Sequence, residues 1–258
     1  MKLKINNVRI SLLHEQSLEQ AVCKKAGISR EMLGGVQILR KAVDARKKQD
    51  VCLNYHVLAD IEANGRQAKR LLADRDISKY EQKAAPELVL GTLPLSAPPV
   101  VIGAGPAGLL AALQLAEHGY QPLLLERGKP VAERVQDVQR FWSTGDFNPA
   151  SNVQFGEGGA GTFSDGKLTT RVNDPQMADI LRLFVEAGAP ENILYEHKPH
   201  VGTDKLRAMV TGLSRRIVEL GGSVRYNTRV SDLLIKNNTV QGVVLDNGEQ
   251  VAAGAVVL

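Results

Sequence analysis

Residues Pro99 to Arg127 read PVVIGAGPAGLLAALQLAEHGYQPLLLER, and this stretch decides the fold. Pro99-Val100-Val101-Ile102 is a short apolar run of the kind that forms a strand buried on both faces. Gly103-Ala104-Gly105-Pro106-Ala107-Gly108 follows at once. From Leu109 to His118 the apolar residues recur at helical spacing, and Gly119 stops the helix. Pro122 to Leu125 supplies a second buried strand, ended by Glu126. The order is strand, glycine turn, helix, strand, acid.

Each residue type in that order has a physical task. Gly103 permits the tight turn out of the strand. Gly105 lacks a side chain, so a pyrophosphate can approach the backbone, and Gly108 lets the helix pack close to the sheet. The helix N-terminus around Pro106 and Ala107 offers free N–H groups and the positive end of its dipole. Glu126, at the end of the second strand, can accept both hydroxyls of an adenosine ribose. This is the dinucleotide-binding βαβ unit. An ordinary βαβ turn with no ligand is the competing account, and the strand, helix and acid all falling in place weigh against it. An acid at the ribose position disfavours a 2′-phosphate, so NADP fits worst; FAD and NAD both fit.

The 258 residues suffice for one large or two smaller domains, and 43% apolar with 23% charged residues is ordinary globular composition. The formal net charge of +4 is unevenly placed. Residues 1–97 carry 17 Lys and Arg against 11 Asp and Glu, and residues 98–258 carry 15 against 17. A basic N-terminal third can face an anionic partner, although solvated lysines on a small domain explain it as well. Cys23 and Cys52 form no CxxC pair, so a redox-active disulfide is not expected, and free buried thiols suit a reducing, cytoplasmic setting. Histidines 14, 56, 118, 197 and 200 are scattered, with no metal-ligand spacing. MKLKINNVRI lacks the apolar core of a signal peptide. Leu88 to Ala116 carries no charge, but its prolines and glycines exclude a membrane helix.

Along the chain, Lys2 to Ser11 alternates as a strand with a slip near Asn6-Asn7. Ser17 caps a helix that runs through Lys25 and stops at Gly27. Val36–Ala45 and Val51–Ile61 read as strands, and Asn64–Leu72 as a short helix. These elements predict a small basic α+β domain over residues 1–96, closed by an Ala- and Pro-rich linker from Glu81 to Pro98. Lys24, Lys25, Arg46, Lys47 and Lys48 are its candidates for contact with an acidic partner. Few aromatics lie among them, so nucleic-acid binding is disfavoured.

The second domain spans residues 97–258. After Glu126, Val131, Val135 and Val138 share a helical face, and Arg127 and Arg134 are placed to meet phosphate or solvent. Trp142 to Pro149 reads as irregular. Then comes SNVQFGEGGAGTFSDGKLTTR, Ser151 to Arg171, with glycines 156, 158, 159, 161 and 166 inside eleven residues. A packed core has no use for so much glycine, whereas close approach of backbone to a ligand does. Phe155, Phe163 and Leu168 anchor the loop. Asp174–Gly188 predicts a helix. Lys205–Leu220 predicts another, capped by Thr203 or Asp204. The strands Ser223–Tyr226, Arg229–Lys236, Thr239–Leu245 and Gln250–Leu258 follow, with turn signals at Asn237-Asn238 and Asp246-Asn247-Gly248.

Gly103, Gly105, Gly108, Ala112, Leu115, Gly119 and Glu126 match the extended pattern GxGxxGxxxAxxLxxxGxxxxxxE, and the later βββ meander completes the layout. The chain resembles the glutathione-reductase-type FAD/NAD(P)-binding oxidoreductases. SNVQFGEGGAGTFSDGKL and PHVGTDKL, behind a basic α+β domain, resemble more narrowly a family of predicted FAD-dependent dehydrogenases of unassigned substrate. The resemblance implies an α/β FAD/NAD(P)-binding Rossmann-like βαβ fold with an inserted βββ meander, preceded by a small α+β domain. It implies FAD, with Gly159, Ala160, Gly161, Thr162, Ser164, Asp165 and Lys167 near flavin and pyrophosphate, and the backbone of Val230 near adenine. It also implies hydride transfer to the flavin, with Lys167 a candidate for the charge beside the reduced ring. No general base is evident; His200 alone lies beside a glycine turn. In that family the strand at Gly254–Leu258 runs on into further domains, so the chain reads as a C-terminally short version. A catalytically inactive FAD- or NAD-binding module acting through the basic domain is the alternative. The substrate and electron acceptor are a small molecule and a partner that the sequence does not identify, and no membrane is expected.

Overall fold

The computed structural model describes residues 1–81, 89, 91–92, 94–170, 174 and 176–258. Most of the expected linker before Pro94, and Arg171, lie outside them. The chain divides into two compact units: Met1–Pro86 with Asn192–Pro199, and Glu87–Glu191 with His200–Leu258.

The first unit contains β1 (Lys2–Ser11), α1 (Leu18–Ala26), β2 (Leu33–Asp44), β3 (Cys52–Ile61), α2 (Gly65–Leu72) and β4 (Ile77–Lys79). Its sheet is ordered β2-β3-β1-β4 and antiparallel throughout. The slip expected in β1 is a register shift between Ile5 and Val8, where Asn7 adopts φ 57°. Ser17 and Gln20 form a capping box at α1, and Gly27 ends that helix at φ 63°. Leu3, Ile5, Val8, Val57 and Ile61 are wholly buried and form the core with Val22 of α1. β4 escaped the sequence because three residues carry no periodicity. The segment Asn192–Pro199 joins this unit through its backbone: the Lys41 N–H donates to the Tyr195 oxygen at 2.7 Å, and the His197 N–H to the Lys41 oxygen at 3.0 Å. Part of the basic excess is neutralised locally. Lys25 pairs with Asp74 and Asp76, and Arg46 with Asp44.

The second unit begins with β5 (Val100–Ile102), α3 (Pro106–Glu117), β6 (Leu123–Leu125) and α4 (Val131–Thr144). It continues with α5 (Met177–Glu186), α6 (Thr203–Glu219) and β7 (Ser223–Arg225). It ends with β8 (Val230–Lys236), β9 (Thr239–Leu245), β10 (Gln250–Ala252) and β11 (Val256–Val257). A parallel sheet is ordered β11-β5-β6-β7, and β10-β9-β8 form an antiparallel meander. Numbered by parallel strands alone, the sheet reads 4-1-2-3, the order of a dinucleotide-binding half. α3 buries Leu109, Ala112, Leu113 and Ala116, and α6 buries Leu206, Met209, Val210, Leu213 and Ile217.

Three expectations are corrected here. Trp142–Thr144 are helical, because α4 continues to the left-handed Gly145 at φ 78°. Neither Thr203 nor Asp204 caps α6; the helix begins at Thr203 behind Gly202, and the Thr203 hydroxyl donates to the Ser164 oxygen at 2.9 Å. The single strand expected over Gln250–Leu258 is two, in different sheets. The break falls at Gly254, where a Cβ would stand 2.5 Å from the Ala97 carbonyl oxygen, so the chain crosses there in close backbone contact.

Candidate functional site

β5 and α3 meet at the glycine turn, and each glycine there has a distinct environment. Gly103 adopts φ 93°, and a Cβ on it would meet no atom within 4 Å. Gly105 is the N-cap of α3, followed by Pro106 at the first helical position, and a Cβ on Gly105 would also point into open space. Gly108 differs: a Cβ there would stand 1.9 Å from the Gly103 oxygen. The third glycine is required by packing, and the first two leave space in front of the helix. No side chain caps α3, so its first N–H groups and its dipole face that space together with the exposed Pro106 and Ala107.

The second glycine stretch arrives at the same place. The Gly158 N–H donates to the Ala104 oxygen at 2.7 Å, and a Cβ on Gly159 would lie 3.5 Å from the Gly105 Cα and the Pro106 Cδ. Gly159–Phe163 is a 3-10 turn, with Ala160 and Gly161 exposed and nothing near a Cβ on Gly161. Two runs of small residues, more than fifty positions apart in sequence, thus form one cradle with bare backbone on both walls.

Glu126 is buried, and its carboxylate braces this cradle. Oε2 accepts from the Ala104 N–H at 2.7 Å and Oε1 from the Gly128 N–H at 2.8 Å. Each oxygen keeps a second lone pair for a further donor. Arg127, partly buried, lays its guanidinium 3.3 Å from the centre of the Phe155 ring. Phe155 is 40% exposed, so it anchors the loop through that stack and not through the core.

Arg134 departs from the expectation of a phosphate contact. It is 0% exposed, and its three nitrogens donate to the Asn152, Glu157 and Val153 oxygens at 2.8, 2.6 and 2.8 Å. Burial lowers its pKa to about 10, which leaves it charged at neutral pH. Its role is to hold the glycine loop in shape. Thr162 is likewise wholly buried, with its hydroxyl on the Glu157 oxygen at 3.1 Å. Ser164 is exposed; its hydroxyl donates to the Gly161 oxygen and accepts from the Gly166 N–H. Lys167 and Asp165 are exposed and paired at 3.2 Å, and His200 Nδ1 lies 3.7 Å from the same Asp165 carboxylate. The hydrogen bond from Lys167 holds the Asp165 carboxyl below its ordinary pKa. Val230 opens β8 with its side chain in the meander cluster. Just before it, the Thr228 N–H donates to the Glu126 oxygen at 2.8 Å, which sets the start of β8 beside the acid.

Glu157 is the residue the sequence reading passed over. It is 2% exposed; Oε2 accepts from the Val131 N–H at 2.7 Å, and Oε1 from Ser214 at 2.5 Å and Tyr226 at 2.6 Å. It caps α4, which has no cap of its own, and ties the loop to α6 and to the turn after β7. Burial pushes the Tyr226 hydroxyl well above its ordinary pKa, with Glu157 adding to the shift. The signal was present: Glu157 is the one charged residue between Ser151 and Ser164.

Residues 2–60 match a family described as a domain of unknown function, and residues 101–151 match the NAD(P)-binding Rossmann-like domain. The chain is 41% identical over its whole length to a protein of Clostridium beijerinckii described as uncharacterized, covering 48% of it. Over 57% of its length it is 30% identical to the thiamine thiazole synthase of Aeropyrum pernix, covering 43% of that protein. Over 70% of its length it is 26% identical to the NADH:fumarate oxidoreductase of Klebsiella pneumoniae, covering 22%. The chain therefore spans half or less of the length of these curated relatives. No helix among the described residues is long and apolar enough to cross a membrane. The parallel 4-1-2-3 sheet, the glycine turn and the match over residues 101–151 identify the second unit as carrying an NAD(P)-binding Rossmann-like dinucleotide-binding fold.

Proposed function

We propose that the chain is the dinucleotide-binding part of an FAD-dependent dehydrogenase. The observation that carries this is the convergence of Gly159 on Gly105 in front of the uncapped N-terminus of α3. Bare backbone on both walls, with no Cβ contact at Gly103, Gly105 or Gly161, suits an extended pyrophosphate flanked by two bulky groups. When bound, FAD supplies a two-electron acceptor for hydride from a substrate carbon.

The chain's own residues bind and orient. The N–H groups at Ala107 and Gly108 and the α3 dipole would hold pyrophosphate oxygens. The spare lone pairs of Glu126 accept ribose hydroxyls, and its charge repels a 2′-phosphate. The backbone at Val230 would serve the adenine end of a bound FAD, with Arg127 stacked on Phe155 available beside it. Gly159, Ala160 and Gly161 would hold the flavin side of the cofactor, with Ser164, Asp165 and Lys167 available to it. Lys167 can serve a negative charge there only by giving up its bond to Asp165. Cys23 and Cys52 are free thiols, which suits a cytoplasmic setting.

The test is the absorbance spectrum of the purified chain, with acid release of any bound cofactor. Flavin bands with FAD released, or a colourless protein that binds FAD on titration, support the assignment. A colourless protein that binds NAD and ignores FAD overturns it.

A further inference from the structure

A groove of about 580 Å³ runs between α4, the end of α5 and α6, and the dinucleotide cradle does not use it. Its floor is apolar, with Val131 and Val135 from α4 and Ala208 from α6. The wall is fixed tightly: a Cβ on Gly212 would stand 2.4 Å from the Ala187 oxygen, so α6 is locked against the end of α5. Among the described residues, the charged groups lining the groove are Arg207 and Arg215, with no carboxylate beside them.

Neither arginine is neutralised. Among the described residues, the Arg207 Nε is buried with no hydrogen-bond partner, and its guanidinium stacks on the Phe163 ring, 5.0 Å from its centre. Arg215 forms no ion pair among the described residues. A buried N–H without an acceptor is costly, and native proteins seldom leave one so without a reason. The two arginines are eight residues apart on one helix, about 12 Å along its axis, with the apolar floor beside them. The volume is that of a small-molecule site, well below what a partner's helix with its side chains would need.

We propose that this groove binds an elongated organic anion: an apolar body on Val131, Val135 and Ala208, with a carboxylate or phosphate held by Arg207 and Arg215. The site is separate from the dinucleotide cradle, and the proposal stands whether or not the cradle takes FAD.

Isothermal titration of the full chain with decanoate, decyl phosphate and uncharged decanol tests it. At least one anion should bind tenfold or more tighter than decanol, and whichever is tighter identifies the headgroup as carboxylate or phosphate. Arg215→Gln, at an exposed position, should weaken the anion about tenfold and leave decanol unchanged. Val135→Glu, which places a carboxylate on the floor, should do the same to the anion by repulsion. Decanol binding as well as both anions, or anion affinity unchanged in both variants, would overturn the proposal.

Discussion

A Cβ built on Gly108 would stand 1.9 Å from the carbonyl oxygen of Gly103, whereas one built on Gly105 would touch nothing within 4 Å. The two glycines sit three residues apart in one motif, and physics asks different things of them. Gly108→Ala forces α3 off β5 against a backbone atom that cannot turn aside. We expect a loss of about 3 kcal/mol in urea unfolding, at the upper end of overpacking costs. Gly105→Ala places its methyl in the open cradle at φ −72°, an ordinary backbone angle. Its stability should fall by about 1 kcal/mol or less, while cofactor loading drops at least tenfold. Equal behaviour of the two variants would show that the open space is not where the ligand lies.

Glu126 braces the turn before it does anything else. Glu126→Ala leaves two buried N–H groups, at Ala104 and Gly128, without acceptors. Each costs about 1–3 kcal/mol, so about 2–6 kcal/mol should be lost even without cofactor. Glu126→Gln keeps one acceptor and should lose about half as much. A cofactor-free chain whose unfolding midpoint ignores both substitutions would contradict the bracing role.

The βαβ unit was legible in the sequence because its constraints are local: one buried strand, three glycines and an acid fall within thirty residues. The capping box at Ser17 and the hairpin at Asn237-Asn238, both at positive φ, were legible for the same reason. What the sequence hid depends on distant partners. Arg134 read as facing phosphate or solvent, since nothing nearby announces that the carbonyls of Asn152, Val153 and Glu157 will surround it. Glu157 was lost among glycines, its partners Ser214 and Tyr226 lying more than fifty residues away. The attachment of Asn192–Pro199 to Lys41 is a backbone pairing, which leaves no mark on side-chain pattern.

Lys25 lies 2.7 Å from Asp76 and 3.5 Å from Asp74, and these pairs give the first unit a defined pH dependence. The hydrogen bond from Lys25, then that from Asn7, holds the Asp76 carboxyl below its ordinary pKa. The hydrogen bond to Asp76 raises the Lys25 ammonium. The carboxylate's contribution is therefore present above its unfolded pKa of about 3.9 and lost as pH falls through the lower folded value. The ammonium's contribution is present below about 10.4 and lost as pH rises through the higher folded value. Lys25→Met should cost about 1 kcal/mol at pH 7, and the difference from wild type should close in acid. A difference that persists unchanged at pH 2 would assign the effect to packing of the Lys25 stem.

Arg134 makes the sharpest demand on side-chain shape. Its planar fork reaches three carbonyls at once from a position with no exposure, and its guanidinium also lies 4.9 Å from the centre of the Phe163 ring. A lysine ammonium is one point on a flexible stem and cannot serve three acceptors in that plane. Arg134→Met removes the charge and strands two buried carbonyl oxygens and one half-buried one. Arg134→Lys keeps the charge and strands at least one. We expect losses of about 4 kcal/mol and about 2 kcal/mol in urea unfolding, from hydrogen bonds to a charged donor. In both variants limited proteolysis should move to Ser151–Gly158, because the loop has lost the group that orders it. If Arg134 served a phosphate instead, Arg134→Met would lose cofactor affinity while the cofactor-free chain kept its unfolding midpoint and its protease resistance.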